Sequence, residues 1–381
     1  MREMRKTREL KILFITGATH AKHMRNLNHF QRVYFLSRWS NLSILATKNS
    51  DFTLSAHEGT KIYRSLFKSK IASLINFSVW LLARGRRCGF DLVITEPSLY
   101  SVCGFWAKMI LNVKWVVDVW DIPIRNQSDT VLMRLKTRSE RWILRIFFRK
   151  ADLFIVSILP EYELRYFKLP SDKMLLLKNA IWLDELPRKE YAPSRDGPFK
   201  ILCMRSVYTV HSGLDILGQA YRSICKDLHV SLTIIGKISA KVRSQLDLLS
   251  DSPRVYYHDF IEHDQLLEKI RDASVCIIPY KNVPDLAQIY PVKLLEYMAL
   301  GVAVIAPDMG GFARMIRHRR NGLLFKAGDP DDLARQIKTL YNDSELRKKI
   351  SQNSQQAMNK EYDCEEKNRI ILSRLKSLVN A

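Results

Sequence analysis

The sequence predicts an α/β protein built as two Rossmann-like, doubly wound domains facing a cleft. Short apolar runs alternate with amphipathic stretches along the whole chain, the pattern of parallel sheets covered by helices. The 381 residues, 47% of them hydrophobic, are enough for two cores of ordinary size. One stretch, residues 184–198, is rich in Pro, Arg, Glu and Asp and carries no periodicity, so it divides the alternation into two series. The expected organisation is a first domain over 1–184, a linker over 185–198, a second domain over 199–363 and a closing amphipathic helix over 364–381.

The first series of expected strands is Lys11–Thr16, Ser43–Ala46, Asp91–Thr95, Trp115–Val119, Leu153–Ser157 and Met174–Leu177. The second is Lys200–Met204, Ser231–Gly236, Val255–His258, Val275–Pro279, Val302–Ala306 and Gly322–Phe325. Most are near-continuous apolar runs, as expected of strands buried on both faces. Helical patterns fill the gaps, ending with an amphipathic helix over Cys364–Val379. The opening run is too short and too soon interrupted for a signal peptide, and it reads as the first strand. No apolar run approaches the ~18–20 residues of a membrane span. The six cysteines are scattered without Cys-x-x-Cys spacing, which fits reduced thiols in a cytosolic protein.

The formal net charge is +22, and it is unevenly placed. Residues 1–190 hold 33 Lys+Arg against 17 Asp+Glu, or +16; the remainder holds 28 against 22, or +6. A basic first half points to a polyanionic partner. Two segments, 61–87 and 134–150, mix cations with Phe, Trp and Leu at helical spacing, and Glu140 is the only acid in either. That composition suits a surface lying on anionic headgroups at the cytoplasmic face of a membrane. Alternatively the apolar residues face the core and the cations are a solvated face. No RNP, zinc-finger or helix-turn-helix signature accompanies the charge, so nucleic acid is not the expected partner.

Residues 290–306 carry the most chemistry. Pro291 stands where a first helical residue would, and Gly301 where a left-handed helix stop is needed. A buried strand follows. On this mostly apolar helix sits one carboxylate, Glu296, which needs a partner to offset its desolvation. A pair of ribose hydroxyls would serve, with the positive helix N-terminus nearby for phosphates. Lys293, three residues back on the same face, is the other candidate partner.

The run Pro-Val-Lys-Leu-Leu-Glu-Tyr-Met-Ala-Leu-Gly resembles the donor-binding helix of GT-B glycosyltransferases of family 4, which retain anomeric configuration and use nucleotide sugars. Gly310-Gly311, Asn321-Gly322 and Gly328-Asp329-Pro330 follow in the order and spacing of that family. The resemblance covers nearly the whole chain and is looser in the first half. In relatives the last helix crosses back to the first domain.

The resemblance implies roles for particular residues. Glu296 would grip the nucleoside. Eight positions earlier, where the family has a glutamate touching the donor sugar, this chain has Gln288. Arg205, at a strand end, would clamp the diphosphate, as departing negative charge requires. The family lysine that follows is lost. His211, Ser212 and the Gly213 amide stand in its place, and Lys293 could supply the missing charge. Ile261 would offer its backbone to the base, or lie in a plain strand-to-helix connection capped by Asp264. Gly310 and Gly311 would allow close approach to sugar or phosphate. In the first domain, Asp121 and Asp118 are the candidates for contacting the acceptor hydroxyl, with Glu96 as runner-up. The nine histidines form no ligand-spaced cluster, and neither metal nor cofactor is expected.

The expected activity is retaining transfer of a sugar from a nucleotide diphosphate sugar to a lipid-linked or saccharide acceptor, in cell-surface polysaccharide or glycoconjugate synthesis. The alternatives are a catalytically impaired relative acting as a partner subunit, a sugar-nucleotide epimerase, and a basic nucleic-acid-binding protein.

Overall fold

The computed structural model describes residues 9–17, 28–48, 50, 52, 56–119, 131–157, 168–183, 186, 197–247, 249, 251–283 and 291–381. Most of the expected linker, Asp121 and Gln288 lie outside the described residues. The chain divides into two compact units, residues 1–179 with 364–381, and residues 180–363.

The first unit is built on a seven-stranded parallel sheet of order β3-β2-β1-β4-β5-β6-β7. Its strands are β1 Lys11–Thr16, β2 Asn41–Ala46, β3 Lys61–Arg64, β4 Leu92–Thr95, β5 Lys114–Val119, β6 Leu153–Val156 and β7 Met174–Leu176. Strands β1, β2, β4, β5 and β6 are apolar and buried nearly throughout, as helices on both faces demand.

β3 departs from expectation. Residues 61–64 open the first basic-aromatic segment, yet they form an edge strand paired with β2, Ile62 beside Ile44 and Tyr63 beside Leu45. The helix of that segment, α2, starts later and runs over Lys70–Trp80. A π-turn at Leu81–Gly85 and a short turn at Arg86–Cys88 continue it, and Gly89 ends it. Helices α3 (Ser101–Leu111) and α4 (Val131–Phe148) lie on the same sheet face, where Phe77, Leu81, Cys103, Ala107, Leu144 and Phe148 pack with Val93, Val117 and Val119. Asp118 alternates with Val117 and Val119 and so points to the other face. There it meets α1, Asn28–Trp39.

The second unit repeats the plan with a six-stranded parallel sheet of order β10-β9-β8-β11-β12-β13. These are β8 Phe199–Tyr208, β9 Val230–Ile238, β10 Val255–His258, β11 Val275–Ile277, β12 Val304–Pro307 and β13 Leu323–Phe325. Both sheets reverse strand order once, between β1 and β4 and between β8 and β11. Open α/β sheets bind ligands beyond the carboxyl ends of strands at such a reversal.

The helices of the second unit used below are α5 (Leu214–Ile224), α6 (His263–Asp272), α7 (Val292–Ala299), α8 (Gly310–Met315) and α9 (Pro330–Asn342). Pro291 is the N-cap of α7, one position before the place the sequence suggests. The end of α7 is a Schellman motif. The Gly301 amide donates to the Met298 carbonyl and the Val302 amide to the Tyr297 carbonyl, both at 3.1 Å. Gly301 supplies the left-handed residue at φ 70°. The Gly328-Asp-Pro landmark is a helix start, since Asp329 accepts from the Asp331 and Asp332 amides at 3.1 Å each and Pro330 opens α9. A last helix, α10, spans Cys364–Asn380 and belongs to the first unit.

Candidate functional site

The order reversal of the second sheet gathers the charged residues. β8 carries a bulge: Met204 pairs with Ile235 and Val207 with Lys237, so β8 advances three residues against two on β9. Arg205 sits in that bulge. Such a break in the ladder re-aims a side chain, and bulges are frequent beside active sites. Arg205 Nε donates to the Val207 carbonyl at 2.9 Å, and the guanidinium lies over the Tyr280 ring at 4.5 Å. Tyr280 follows β11, the strand beside β8, so the pair straddles the reversal. Among the described residues nothing accepts a hydrogen bond from the buried Arg205 Nη1.

Lys293 approaches from the first turn of α7. Its ammonium lies 3.4 Å from the Met204 carbonyl, next to Arg205 in sequence. Burial, and then repulsion from the Arg205 guanidinium, pull its pKa down to about 8, while Glu296 pulls the other way. Two cations thus sit beside a helix N-terminus, the arrangement that attracts an anion. Glu296 is buried one turn further along α7, among Leu294, Leu295, Tyr297 and Met298.

The loop between β8 and α5 closes over the same strand ends. Gly213 is its pivot: φ is 71°, and a Cβ there would stand 1.7 Å from the Pro279 carbonyl oxygen. That contact seats the loop on the segment after β11, where the Lys281 amide donates to the His211 carbonyl at 3.3 Å. Lys281 in turn pairs with Asp215 at 2.7 Å. His211 is buried, and its Nε2 has no hydrogen-bond partner among the described residues. Ser212 follows His211 in this loop. Its fully buried hydroxyl accepts from the Thr209 amide at 2.8 Å and shapes the turn.

The other expected donor residues lie on neighbouring strand ends. Ile261 is in the loop after β10 and packs its side chain against the core. Asp264 is in the first turn of α6, whose N-cap is Glu262, so the expected Asp264 cap does not form. Gly310 and Gly311 begin α8 just past β12. Among the described residues no group of three or more His, Cys, Asp or Glu is placed to hold a metal ion.

In the first unit the structure corrects one reading. Asp118 is not placed to meet an acceptor, because it is fully buried and held by two hydrogen bonds from Arg32, at 2.9 Å from Nε and from Nη2. Arg32 Nη1 also donates to Asn368 of α10 at 3.2 Å. Lys367 beside it is pulled down to about 7 by burial first and by Arg32 second. Asp118 therefore belongs to a buried charge cluster that fastens α10 to α1 and β5. The strand-end pattern could not show this, since it does not reveal which sheet face Asp118 takes.

Glu96 is better placed. It stands just past β4 at the order reversal of the first sheet. It accepts from the Gly17 amide at 2.9 Å, the Thr16 hydroxyl at 3.1 Å and the Ser98 hydroxyl at 3.2 Å. Burial raises its pKa above the usual carboxylate range, although those hydrogen bonds and Lys70 oppose the rise.

Two parallel sheets of this order, each with its own strand-order reversal, define the GT-B class of protein. The similarity to solved structures agrees. A glycosyltransferase from Rickettsia africae superposes with a TM-score of 0.77 at 15% identity, covering 98% of this chain and 99% of that one. Anabaena HepE in complex with UDP gives a TM-score of 0.75 at 16% identity, covering 97% of this chain and 100% of that one. The same protein is also solved in complex with UDP-glucose. At these identities the likeness is one of fold.

Residues 198–343, which lie within the second unit, match the family model Glycosyl transferases group 1. An uncharacterized glycosyltransferase of Methanocaldococcus jannaschii is 24% identical over 210 residues, 51% of this chain and 52% of that protein. The chain thus spans about half the length of that curated relative.

Proposed function

We propose that the protein is a retaining glycosyltransferase that moves a sugar from a nucleotide diphosphate sugar to a lipid-linked or saccharide acceptor. One observation carries the donor reading: Arg205 and Lys293, mutually repelling, sit together where strand order reverses beside the N-terminus of α7. A diphosphate there would relieve the repulsion and stabilise the departing charge. Glu296 would hold the ribose, and His211 would add a donor to a phosphate oxygen. The complexes of HepE with UDP and UDP-glucose support a uridine nucleotide as the first donor to test. Retention rests on the resemblance of residues 291–301 to the family 4 donor helix. The chain's own cations, without a metal or cofactor, are assigned the diphosphate charge.

The acceptor side is assigned to Glu96 and to Asp121. Glu96, whose carboxyl burial holds above the usual carboxylate range, is suited to take a proton from an acceptor hydroxyl. The first half's charge of +16 supports an acceptor held at an anionic membrane surface, on the cytoplasmic side, in polysaccharide or glycoconjugate synthesis. Gln288, standing where the family has a glutamate, favours a second reading, an impaired relative acting as a partner subunit.

The test is incubation with a panel of nucleotide sugars, followed by NMR of the released or transferred sugar. Cleavage of one donor, with the product first appearing as the donor's own anomer, is expected. Nucleotide binding without cleavage of any donor would favour the partner-subunit reading.

A further inference from the structure

The first unit carries a surface that its core does not use. α2 and its π-turn bury Ser73, Phe77, Leu81 and Gly85, every fourth residue, against the unit. A helix that covers a sheet ordinarily turns charged and polar residues to water. Here the outward stripe is Ile71, Ile75, Val79 and Leu82, which are 68, 62, 56 and 60% exposed. Leu66 and Phe67, just before the helix, are exposed as well. The helix is apolar on two faces.

The stripe has neighbours of the same kind. α3 packs beside α2, and α4 beside α3 through the Phe105 and Phe147 rings at 5.1 Å. Trp106 and Met109 of α3 and Trp142 and Ile146 of α4 are exposed too. Around the stripe, Lys68, Lys70, Arg84, Arg86 and Arg87 are exposed, and residues 61–87 contain no acid.

Charge selects the occupant. A second copy docked symmetrically on this face would set the same cations against each other. An anionic lipid surface accepts both components, apolar side chains among the acyl chains and cations at the headgroups. No described helix is long and apolar enough to cross a membrane, so the contact is interfacial.

We propose that residues 66–87 are the membrane-docking element of this protein. Ile71, Ile75, Val79 and Leu82, with Leu66 and Phe67, enter the interface, and Lys68, Lys70, Arg84, Arg86 and Arg87 meet anionic headgroups. This rests on the membrane reading given above and assigns it to α2, with segment 134–150 contributing Trp142 and Ile146 among its described side chains. Insertion gives the binding a component that salt does not remove.

The experiment is co-sedimentation with vesicles of phosphatidylcholine alone or mixed with phosphatidylglycerol, at low salt and at about 1 M salt, where screening shortens to ~3 Å. UDP binding is measured in parallel on every sample. Wild type is expected to bind the mixed vesicles and to keep part of that binding in high salt. Ile71→Ser/Ile75→Ser/Val79→Ser, all at exposed positions, should lose the salt-resistant part and bind on the order of tenfold more weakly overall. Arg84→Glu/Arg86→Glu/Arg87→Glu should lose the part that needs phosphatidylglycerol. Wild type left in the supernatant at low salt overturns the proposal, as does serine-triple binding equal to wild type in high salt. Vesicle-free dimers that the serine triple dissociates, without vesicle binding by wild type, would replace the membrane with a second copy. Vesicle binding without UDP binding would sustain the docking element and sink the donor reading instead.

Discussion

The Arg205 guanidinium lies over the Tyr280 ring at 4.5 Å, joining the ends of the two strands between which the second sheet reverses. The ring fixes the arginine without neutralising it, because a cation–π contact leaves the charge available to a second partner. Exposed contacts of this kind contribute about 0.5–1 kcal/mol, and desolvated ones about 2. Tyr280→Leu should therefore weaken nucleoside diphosphate binding by roughly 3- to 30-fold, and Tyr280→Phe by much less. Calorimetric titration of both variants checks this. Equal losses for leucine and phenylalanine would show that the hydroxyl, not the ring, matters.

With Lys293 in the proposed donor site, nucleotide binding should depend on pH. Its pKa is about 8 in the free protein, and a bound diphosphate would raise it by favouring the charged form. Below about 8 the lysine is already charged, so affinity is at its plateau. Above that the protein must take up a proton on binding, and affinity falls as pH rises. Lys293→Arg should extend the plateau upward, because arginine stays charged. Titrations between about pH 6 and 9.5 test it, and a flat wild-type profile would remove Lys293 from the site.

The cluster of Arg32, Asp118 and Lys367 governs stability rather than chemistry. Asp118→Asn leaves buried cations without their carboxylate and should cost about 3–5 kcal/mol, measured by urea unfolding. Lys367 is lowered to about 7 in the folded chain against its ordinary 10.5. The unfolded chain therefore binds more protons between those values, and stability should rise with pH across that window. Lys367→Met should raise stability most at and below pH 7 and flatten the rise. A variant that follows the wild-type pH curve would show that another group titrates there.

If Glu296 holds the ribose as proposed, Glu296→Ala should weaken nucleotide binding and lower turnover by on the order of 10²-fold, the usual effect of removing a placed polar group from a reacting site. The readout is a comparison of ribonucleotide and 2′,3′-dideoxynucleotide affinity. The proposed ribose contact predicts a wild-type preference for the ribonucleotide that the variant loses.

Much of the frame was legible in the sequence because parallel strands covered on both faces are written as unbroken apolar runs. Lys11–Thr16 and Val255–His258 match their expected bounds, and other strands shift by one to a few residues at their ends. β3 was not legible, since Lys-Ile-Tyr-Arg is a short, half-exposed edge strand with no apolar run of its own. α2 misleads because it is apolar on two faces, so no single stripe marks its inner side. Within the site, Arg205 could be placed at a strand end, but the bulge that aims it depends on its register with β9. Tyr280 gives no signal until β11 is known to lie beside β8. The pairing of Asp118 with Arg32, 86 residues apart, has no local trace at all. Glu96 could be seen at a strand end, whereas its three donors come from another strand and a turn.

The proposed grip of the second unit on a diphosphate through Arg205 is tested most directly by comparing nucleoside diphosphates with their bare nucleosides in calorimetric titrations of wild type and Arg205→Ala. One diphosphate, UDP first, should bind wild type at least about tenfold more tightly than its nucleoside, a difference of ~1.4 kcal/mol or more. Arg205→Ala should abolish most of that difference while nucleoside binding stays within about twofold. A wild-type protein that binds diphosphate and nucleoside equally, or an Arg205→Ala variant that weakens both alike, would contradict it.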